Sequence, residues 1–470
     1  MLNAKNILGN FSVAVVAQGI VLVGSVLTTL LVPKVLGVTE FGFWQLFVFY
    51  GSYTGFFHLG LNDGVYLLNG GISRSEIDKR SLNSQFAVGL VYQALLSALI
   101  FAGAVVMAPG PQRLFVLAMT GVYLLVTNAG GFIGYVLQAM DETRLYSAYS
   151  ALSSTLFLVP LVIMLALGVP GFEPYVVFYT IARGLSLLVC FWWVRDFVPA
   201  GLLSIRKSLK ATGKSISVGV KLMLANIASM LIMGASRFLI DAQWGIDVFS
   251  VVSFALSMVS FFLLFAAQAS MVLFPALRKA SATESASFFA AAQKALDLFL
   301  PVCYLLYFPA VAILGWWLPK YEPSFIYFAY LLPVAVFNGK MDILGNTYLL
   351  VLRREGMLLV VNMVTVVFSF AGAALGAFVF HSIEVMLVFA VLALMLRSVY
   401  VERFLQKQFK LKGTKLFWGT LAMTVIFVCF TVALDAPVAF ALTCAAYALF
   451  VLLNRKEALA VLKQLRNVMA

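Results

Sequence analysis

Residues 174–194 read PYVVFYTIARGLSLLVCFWWV, a run of 21 residues with one charge, Arg183, near its middle. A bilayer core takes about 20 mostly apolar residues of helix, so this run has the length of one crossing. A barrel strand would hold roughly 10 residues of alternating character, whereas this stretch is apolar on every side, which leaves a helix. The whole chain repeats the pattern. Of its 470 residues 63% are hydrophobic and 11% charged, and the mean hydropathy is +1.01, outside the range of soluble domains. Fourteen such runs can be marked: 7–32, 41–68, 84–108, 114–139, 148–168, 174–194, 217–240, 249–276, 295–317, 324–351, 357–380, 384–402, 416–434 and 437–453. The expected fold class is an all-α membrane protein with 14 transmembrane helices.

Orientation follows from the breaks between runs. Assigned alternately to two sides of a membrane, they give one side 24 of the 32 Lys and Arg, and the other only Lys34, Arg113 and Lys320. The remaining five, Arg183, Lys221, Arg237, Lys340 and Arg397, lie inside runs. Basic loops stay cytoplasmic, so both termini are expected there. The net charge of +13 is then a matter of topology and of attraction to anionic membrane lipids, with no nucleic-acid partner implied. The first run has no A-x-A cleavage site and reads as helix 1, not as a removed signal. Cys190, Cys303, Cys429 and Cys444 all fall in runs, where a thiol is a small apolar filler, and His58 and His381 have no evident ligand partners. No metal site, catalytic motif or cofactor is expected, apart from a coupling Na+ or H+.

Two internal echoes share an offset. LGVTEFG (36–42) matches WGIDVFS (244–250) at 208 residues, and the breaks before the fifth and eleventh runs align at about 212. Related halves are common in transporters. The expected organisation is an N-lobe of helices 1–6 (1–194), a cytoplasmic amphipathic linker (195–216), a pseudo-symmetric C-lobe of helices 7–12 (217–402), and helices 13 and 14 with a basic tail (403–470). In the linker Leu202, Leu203, Ile205 and Leu209 alternate with Arg206, Lys207, Lys210 and Lys214, a pattern suited to an anionic membrane face.

The stretch LTTLLVPKVLGVTEFGFWQLFVFYGSYTGFFHLGLNDGVY (27–66) carries a P-x-x-LG-x-x-x-FG turn and then a GL-x-x-G ending. Further on come GASRFLIDAQWGIDVFSVVSFALSM (234–258), LFPAL (273–277) and LPKYEPS (318–324). These passages resemble polysaccharide transporters of the Wzx type, in the multidrug/oligosaccharidyl-lipid/polysaccharide flippase superfamily. Ser236 stands where that pattern commonly has Asp, which removes the basis for an ion pair at that position. The resemblance implies a non-enzymatic flippase in the bacterial cytoplasmic membrane. Its cargo would be an undecaprenyl-diphosphate-linked oligosaccharide, moved from the cytoplasmic to the outer leaflet, with other polysaccharide-assembly proteins as partners.

Independent physics bears on that implication. A diphosphate headgroup cannot cross hydrocarbon unshielded, so a carrier needs cations at depth. Arg183 is such a cation: its insertion costs about 2.5–3.5 kcal/mol, against a gain of roughly 3–6 kcal/mol from the ten Leu, Ile, Val and Phe of its run. A salt bridge between helices is the competing explanation. Lys340, in FNGKMDILGN (337–346), is expected as a second cavity cation, with Asp342 on another face of the helix. Lys221 competes with snorkelling, Arg237 with a local pair to Asp241, and Gln18 is expected to face the cavity. Arg397, near a helix end, is expected to snorkel. Asp63 with Asn62, Asp342 and Asp297 are candidate coupling-ion or gating residues, with interhelical hydrogen bonds as the alternative. A cation-coupled multidrug antiporter is the rival function, although it would want deep acids and the deep charges here are mainly basic. A membrane-embedded polysaccharide polymerase is the third reading, and the short outer breaks leave it little room.

Overall fold

The computed structural model describes residues 19, 22–279, 281–411, 413 and 415–461. They fold as helices, with no strand among them. The chain divides into two compact units, Met1–Ile227 and Ala228–Ala470. The first holds α1 (Leu22–Leu30), α2 (Val32–Tyr53), α3 (Leu61–Asn69), α4 (Lys79–Met107), α5 (Pro111–Ala139), α6 (Thr143–Leu167), α7 (Glu173–Trp193) and the start of α8 (Ile205–Lys279). The second holds the rest of α8, then α9 (Ala282–Phe299), α10 (Val302–Trp317), α11 (Ser324–Leu331), α12 (Pro333–Lys340), α13 (Thr347–Val351), α14 (Glu355–Leu375), α15 (Ile383–Gln408), α16 (Lys415–Ala433) and α17 (Ala436–Leu453). Among the described residues 11 helices are long and apolar enough to cross a membrane, and 12 if the bent pair Leu22–Leu30 with Val32–His58 is one span. One of them, Ile205–Leu264, has 60 residues, about three bilayer thicknesses at 1.5 Å per residue. It is interrupted at Gly245, whose φ of 80° and ψ of −175° are not helical.

Gly37, 208 residues earlier, has φ 76° and ψ −177°. The two echoing segments therefore break their helices at equivalent glycines in nearly the same backbone conformation, one that a side chain would strain.

The second apolar run was expected as one helix over 41–68. The structure divides it: α2 ends at Tyr53, a tight turn follows at Thr54–His58, Leu59 and Gly60 are left-handed, and α3 begins at Leu61. Carbonyls freed at such a break need donors from the protein. Asn128 Nδ2 on α5 donates to the Thr54 carbonyl (2.9 Å), and Gln93 Nε2 on α4 donates to that of Phe57 (2.8 Å). Asn128 also donates to Gln93 Oε1 (2.9 Å), so each amide orients the other. Just past the break, the α3 backbone runs directly against α8. A Cβ at Gly64 would fall on the Ser215 carbonyl, and one at Gly219 would fall on that of Gly60.

The basic segment 202–214 was expected as a separate surface helix. From Ile205 it is the start of α8, turning Ser208, Thr212 and Ser215 inward while Leu202, Ile205 and Leu209 remain more than half exposed. At the same end of the unit a charged clamp joins three connections. Arg74 pairs with Glu142 (2.7 Å) and Asp196 (2.8 Å), and Lys79 also reaches Asp196 (2.6 Å). Burial alone would raise the Asp196 carboxyl, but the Lys79 hydrogen bond and the Arg74 and Lys79 charges outweigh it and hold it below the ordinary carboxylate range. A depressed carboxyl stabilises the fold above its unfolded pKa of about 3.9 and ceases to do so as the pH falls through the folded value. Asp196→Asn is accordingly expected to lower the melting temperature at pH 7, with the difference from wild type closing below about pH 4. A gap that persists in acid would mean that charge is not what Asp196 contributes.

Candidate functional site

In the first unit four helices converge on Arg183. Tyr179 and Arg183 are four residues apart on α7, so they share a face, and Tyr149, Ser153 and Phe157 line one face of α6 in the same way. Arg183 Nη1 donates to Ser153 Oγ (2.8 Å), and its guanidinium lies 5.7 Å from the centre of the Tyr179 ring. The phenols of Tyr123 on α5 and of Tyr149 are also close to it. Gly130 on α5 leaves room for Tyr149, because a Cβ there would meet the phenol oxygen. Tyr179 is fixed in turn by Phe157 (5.0 Å, edge-on), Tyr123 (5.6 Å, stacked), Trp44 (5.6 Å, edge-on) and Phe47 (6.1 Å). No carboxylate among the described residues pairs with Arg183, which stays partly exposed. The result is a cation held by hydroxyl oxygens and aromatic faces, with no carboxylate paired to it among the described residues.

Lys340 differs. It ends α12 at 3% exposure, with Nζ 2.6 Å from Asp297 Oδ1 on α9 and 2.5 Å from Glu402 Oε2 on α15. Gln293, one turn before Asp297, donates to Glu402 Oε1 (2.6 Å), and Thr420 on α16 donates to Asp297 Oδ1 (3.3 Å). The expectation of a free cavity cation is corrected: two carboxylates take the ammonium charge, and burial shuts out a ligand. Asp297 belongs to this group.

The polar stretch around Lys340 opens into a π-helical turn, Met341–Asn346, where Asp342 accepts from Asn346 Nδ2 (3.0 Å) and Asn338 Nδ2 (3.3 Å). Asp342 therefore faces amides and is not Lys340's partner. Arg397, expected to snorkel, is instead 2% exposed. It donates to Asn362 Oδ1 (3.1 Å), to Ser229 Oγ (3.1 Å) and to Asn338 Oδ1. Asn338 thus stands between Arg397 and Asp342, touching both.

The other expected residues lie apart from these clusters. Arg237 donates to Ser253 Oγ (3.0 Å) beyond the Gly245 break and rests 5.1 Å from the Phe249 ring centre, a link across the bend of α8. Lys221 is exposed on α8. Asp63 is 3% exposed, 3.7 Å from His58 Nε2, and Asn62 Nδ2 donates to the Asn128 carbonyl (3.4 Å), so both support the break between α2 and α3. Gln18 lies outside the described residues. Sequence reasoning missed Glu402, which ends its apolar run and reads as interfacial, and also the tyrosines, although the spacing of Tyr179 and Arg183 was there to be read.

No protein-family model matches this chain, and no curated protein does. Solved structures match through the fold. An inward-facing multidrug resistance MATE family transporter of the MOP superfamily superposes with a TM-score of 0.61 at 13% identity, over 82% of this chain and 94% of that one. The lipid II flippase MurJ, in an inward closed conformation, gives 0.64 at 13% identity over 95% and 99%. A MATE protein in complex with MaL6 gives 0.52 at 13% identity over 85% and 96%. At such identities the likeness is one of fold, and the fold is that of MATE and MurJ proteins. MurJ shares it along nearly the whole length of both chains.

Removing one member of a buried ion pair costs about 3–5 kcal/mol, because the remaining charge is stranded. Lys340→Met is expected to destabilise the protein by about that much in thermal unfolding, and adding Asp297→Asn and Glu402→Gln is expected to restore most of the loss. A cost below about 1 kcal/mol would mean the three are not a charged unit.

Proposed function

We propose that this protein is a flippase that moves an undecaprenyl-diphosphate-linked oligosaccharide, such as an O-antigen, capsule or exopolysaccharide repeat unit, from the cytoplasmic to the outer leaflet. The observation that carries the reading is Arg183, a deep cation that pairs with no carboxylate among the described residues. Desolvated unpaired charge is expensive, so an anionic passenger is the natural partner, and guanidinium suits the oxygen geometry of a diphosphate. The surrounding phenols offer further hydroxyl donors to the same anion. The MurJ fold supports the direction of the reading, since MurJ is a lipid II flippase.

The wider proposal has 14 spans, two six-helix lobes with pseudo-symmetry, both termini in the cytoplasm of a bacterium, and the inner membrane as its place. The 12 candidate spans become 14 when the 60-residue run counts twice at Gly245 and the run from residue 7 counts apart from 41–68. Transport is by alternating access of the lobes, with sugar and diphosphate in the polar path and the polyprenyl chain left in lipid. Anionic membrane lipids and polysaccharide-assembly proteins are its proposed partners.

A second reading, the cation-coupled multidrug antiporter, has one observation in its favour. Lys340 faces both Asp297 and Glu402, so the group carries one carboxylate in excess, which a proton would balance. The MATE likeness fits it equally. In the flippase the same group is where H+ or Na+ coupling would act.

The test is a proteoliposome assay that follows a fluorescent diphosphate-linked lipid saccharide across the bilayer. Arg183→Ala is expected to slow transport ten- to a hundredfold, the loss of a charge-assisted contact of about 1.5–3 kcal/mol, with Arg183→Lys intermediate. Unimpaired flipping by Arg183→Ala removes the reading. Proton-driven efflux of an organic cation that is lost in Asp297→Asn, with no flipping by wild type, would establish the antiporter.

A further inference from the structure

A second basic site lies away from Arg183, where α15 turns into α16. A cavity of about 260 Å³ is lined by Arg403, Gln406, Gly413, Lys415, Phe417 and Trp418. It holds two cations and no acid. Arg403 and Lys415 are exposed, and neither pairs with a carboxylate among the described residues. Arg403 is not loose, however, because its guanidinium sits 5.3 Å from the Phe417 ring centre and 5.8 Å from that of Trp418, and those rings meet at 5.3 Å, edge to face. Aromatic support of this kind fixes the cation while leaving its N–H groups for something else.

Gln406 gives the second, independent sign. The residue is 4% exposed and lines the same cavity. Its amide is not among the enclosed polar groups left without a partner, so it opens into the cavity, where its N–H groups can donate to a bound acceptor. Lys415 opens the 19-residue α16, whose first-turn N–H groups have no intrahelical acceptor and add their dipole to the same place. Guanidinium, ammonium, amide and helix terminus are all donors, and a phosphate is the group that accepts from all of them. At about 260 Å³ the cavity lies just below the range of roughly 300–1,000 Å³ typical of drug-sized ligands, a size that suits a headgroup phosphate.

We propose that this pocket between α15 and α16 binds a phosphate group on the basic side of the membrane, separately from the Arg183 site and independently of the flippase reading. The phosphate belongs either to an anionic phospholipid headgroup or to a small soluble phosphate. Phe417 has a further role: its ring also lies 5.5 Å from Lys340 Nζ, so the wall of the pocket is shared with the buried ion group.

The full-length purified protein tests this with two probes. Radiolabelled inorganic phosphate is measured by equilibrium dialysis, and phosphatidylglycerol retained from mixed phosphatidylcholine nanodiscs is counted by native mass spectrometry. Arg403→Gln with Lys415→Gln is expected to weaken binding at least tenfold, and Gln406→Leu several-fold, with the melting temperature of the ligand-free protein within a few degrees of wild type. The single Lys415→Gln, at an exposed position, serves if the pair fails to fold. Binding of both probes, weakened by the variants, assigns recognition to the phosphate itself. Binding of the lipid alone, weakened likewise, assigns it to a headgroup held in the bilayer. Absence of binding by either probe, or binding that the variants leave unchanged, overturns the proposal. Flipping by Arg183→Ala is read separately, so failure of one site does not pass for failure of the other.

Discussion

A polar atom inside an apolar slab has no water to turn to, and the way this protein answers that constraint explains most of what is unusual in it. The break between α2 and α3 frees the carbonyls of Thr54 and Phe57 in mid-run, and Asn128 and Gln93 reach over from α5 and α4 to satisfy them. Without that amide pair the break would strand both groups. With it, the chain can turn within an apolar run and bring Gly60 and Gly64 flat against α8.

The same constraint sorts the buried cations. Lys340 is neutralised by acids, Arg397 is caged by the amides of Asn338 and Asn362 and the Ser229 hydroxyl, and Arg183 is surrounded by phenols and one serine hydroxyl. Acids cancel a charge, while amides and hydroxyls satisfy hydrogens and leave the charge standing. Arg397 is 2% exposed and has Asp342 beyond Asn338, whereas Arg183 is half-buried and pairs with no carboxylate among the described residues. That difference in partners, more than depth in a helix, is what the proposed role of Arg183 rests on.

Much of this was legible in the sequence and some of it was not, for identifiable reasons. Run length and apolarity reveal helices because the bilayer sets both. The shared offset of 208 led to Gly37 and Gly245, since a special backbone conformation requires a special residue at both places. The break within 41–68 was hidden because the donors that make it tolerable sit on other helices, 36 and 74 positions away in the chain. Lys340 was misread for a similar reason: Asp297 is 43 positions away and Glu402 closes a different run, so nothing local announces the pairing. Arg183 could be read further because part of its surroundings is local, Tyr179 lying one turn earlier on the same face.

The π-helical turn at Met341–Asn346 carries one more implication. A wide turn holds an extra residue, and each residue in a helix corresponds to about 100° of rotation about the axis. Lys340 and Tyr348, whose hydroxyl donates to the Ser285 carbonyl (2.9 Å), are therefore aimed relative to each other by chain length and not by side-chain identity. Shortening this stretch by a single position would leave composition and hydropathy almost untouched, yet swing one end of the span by more than a quarter of a circle, so that its ammonium and its phenol could no longer both find the neighbours they now have.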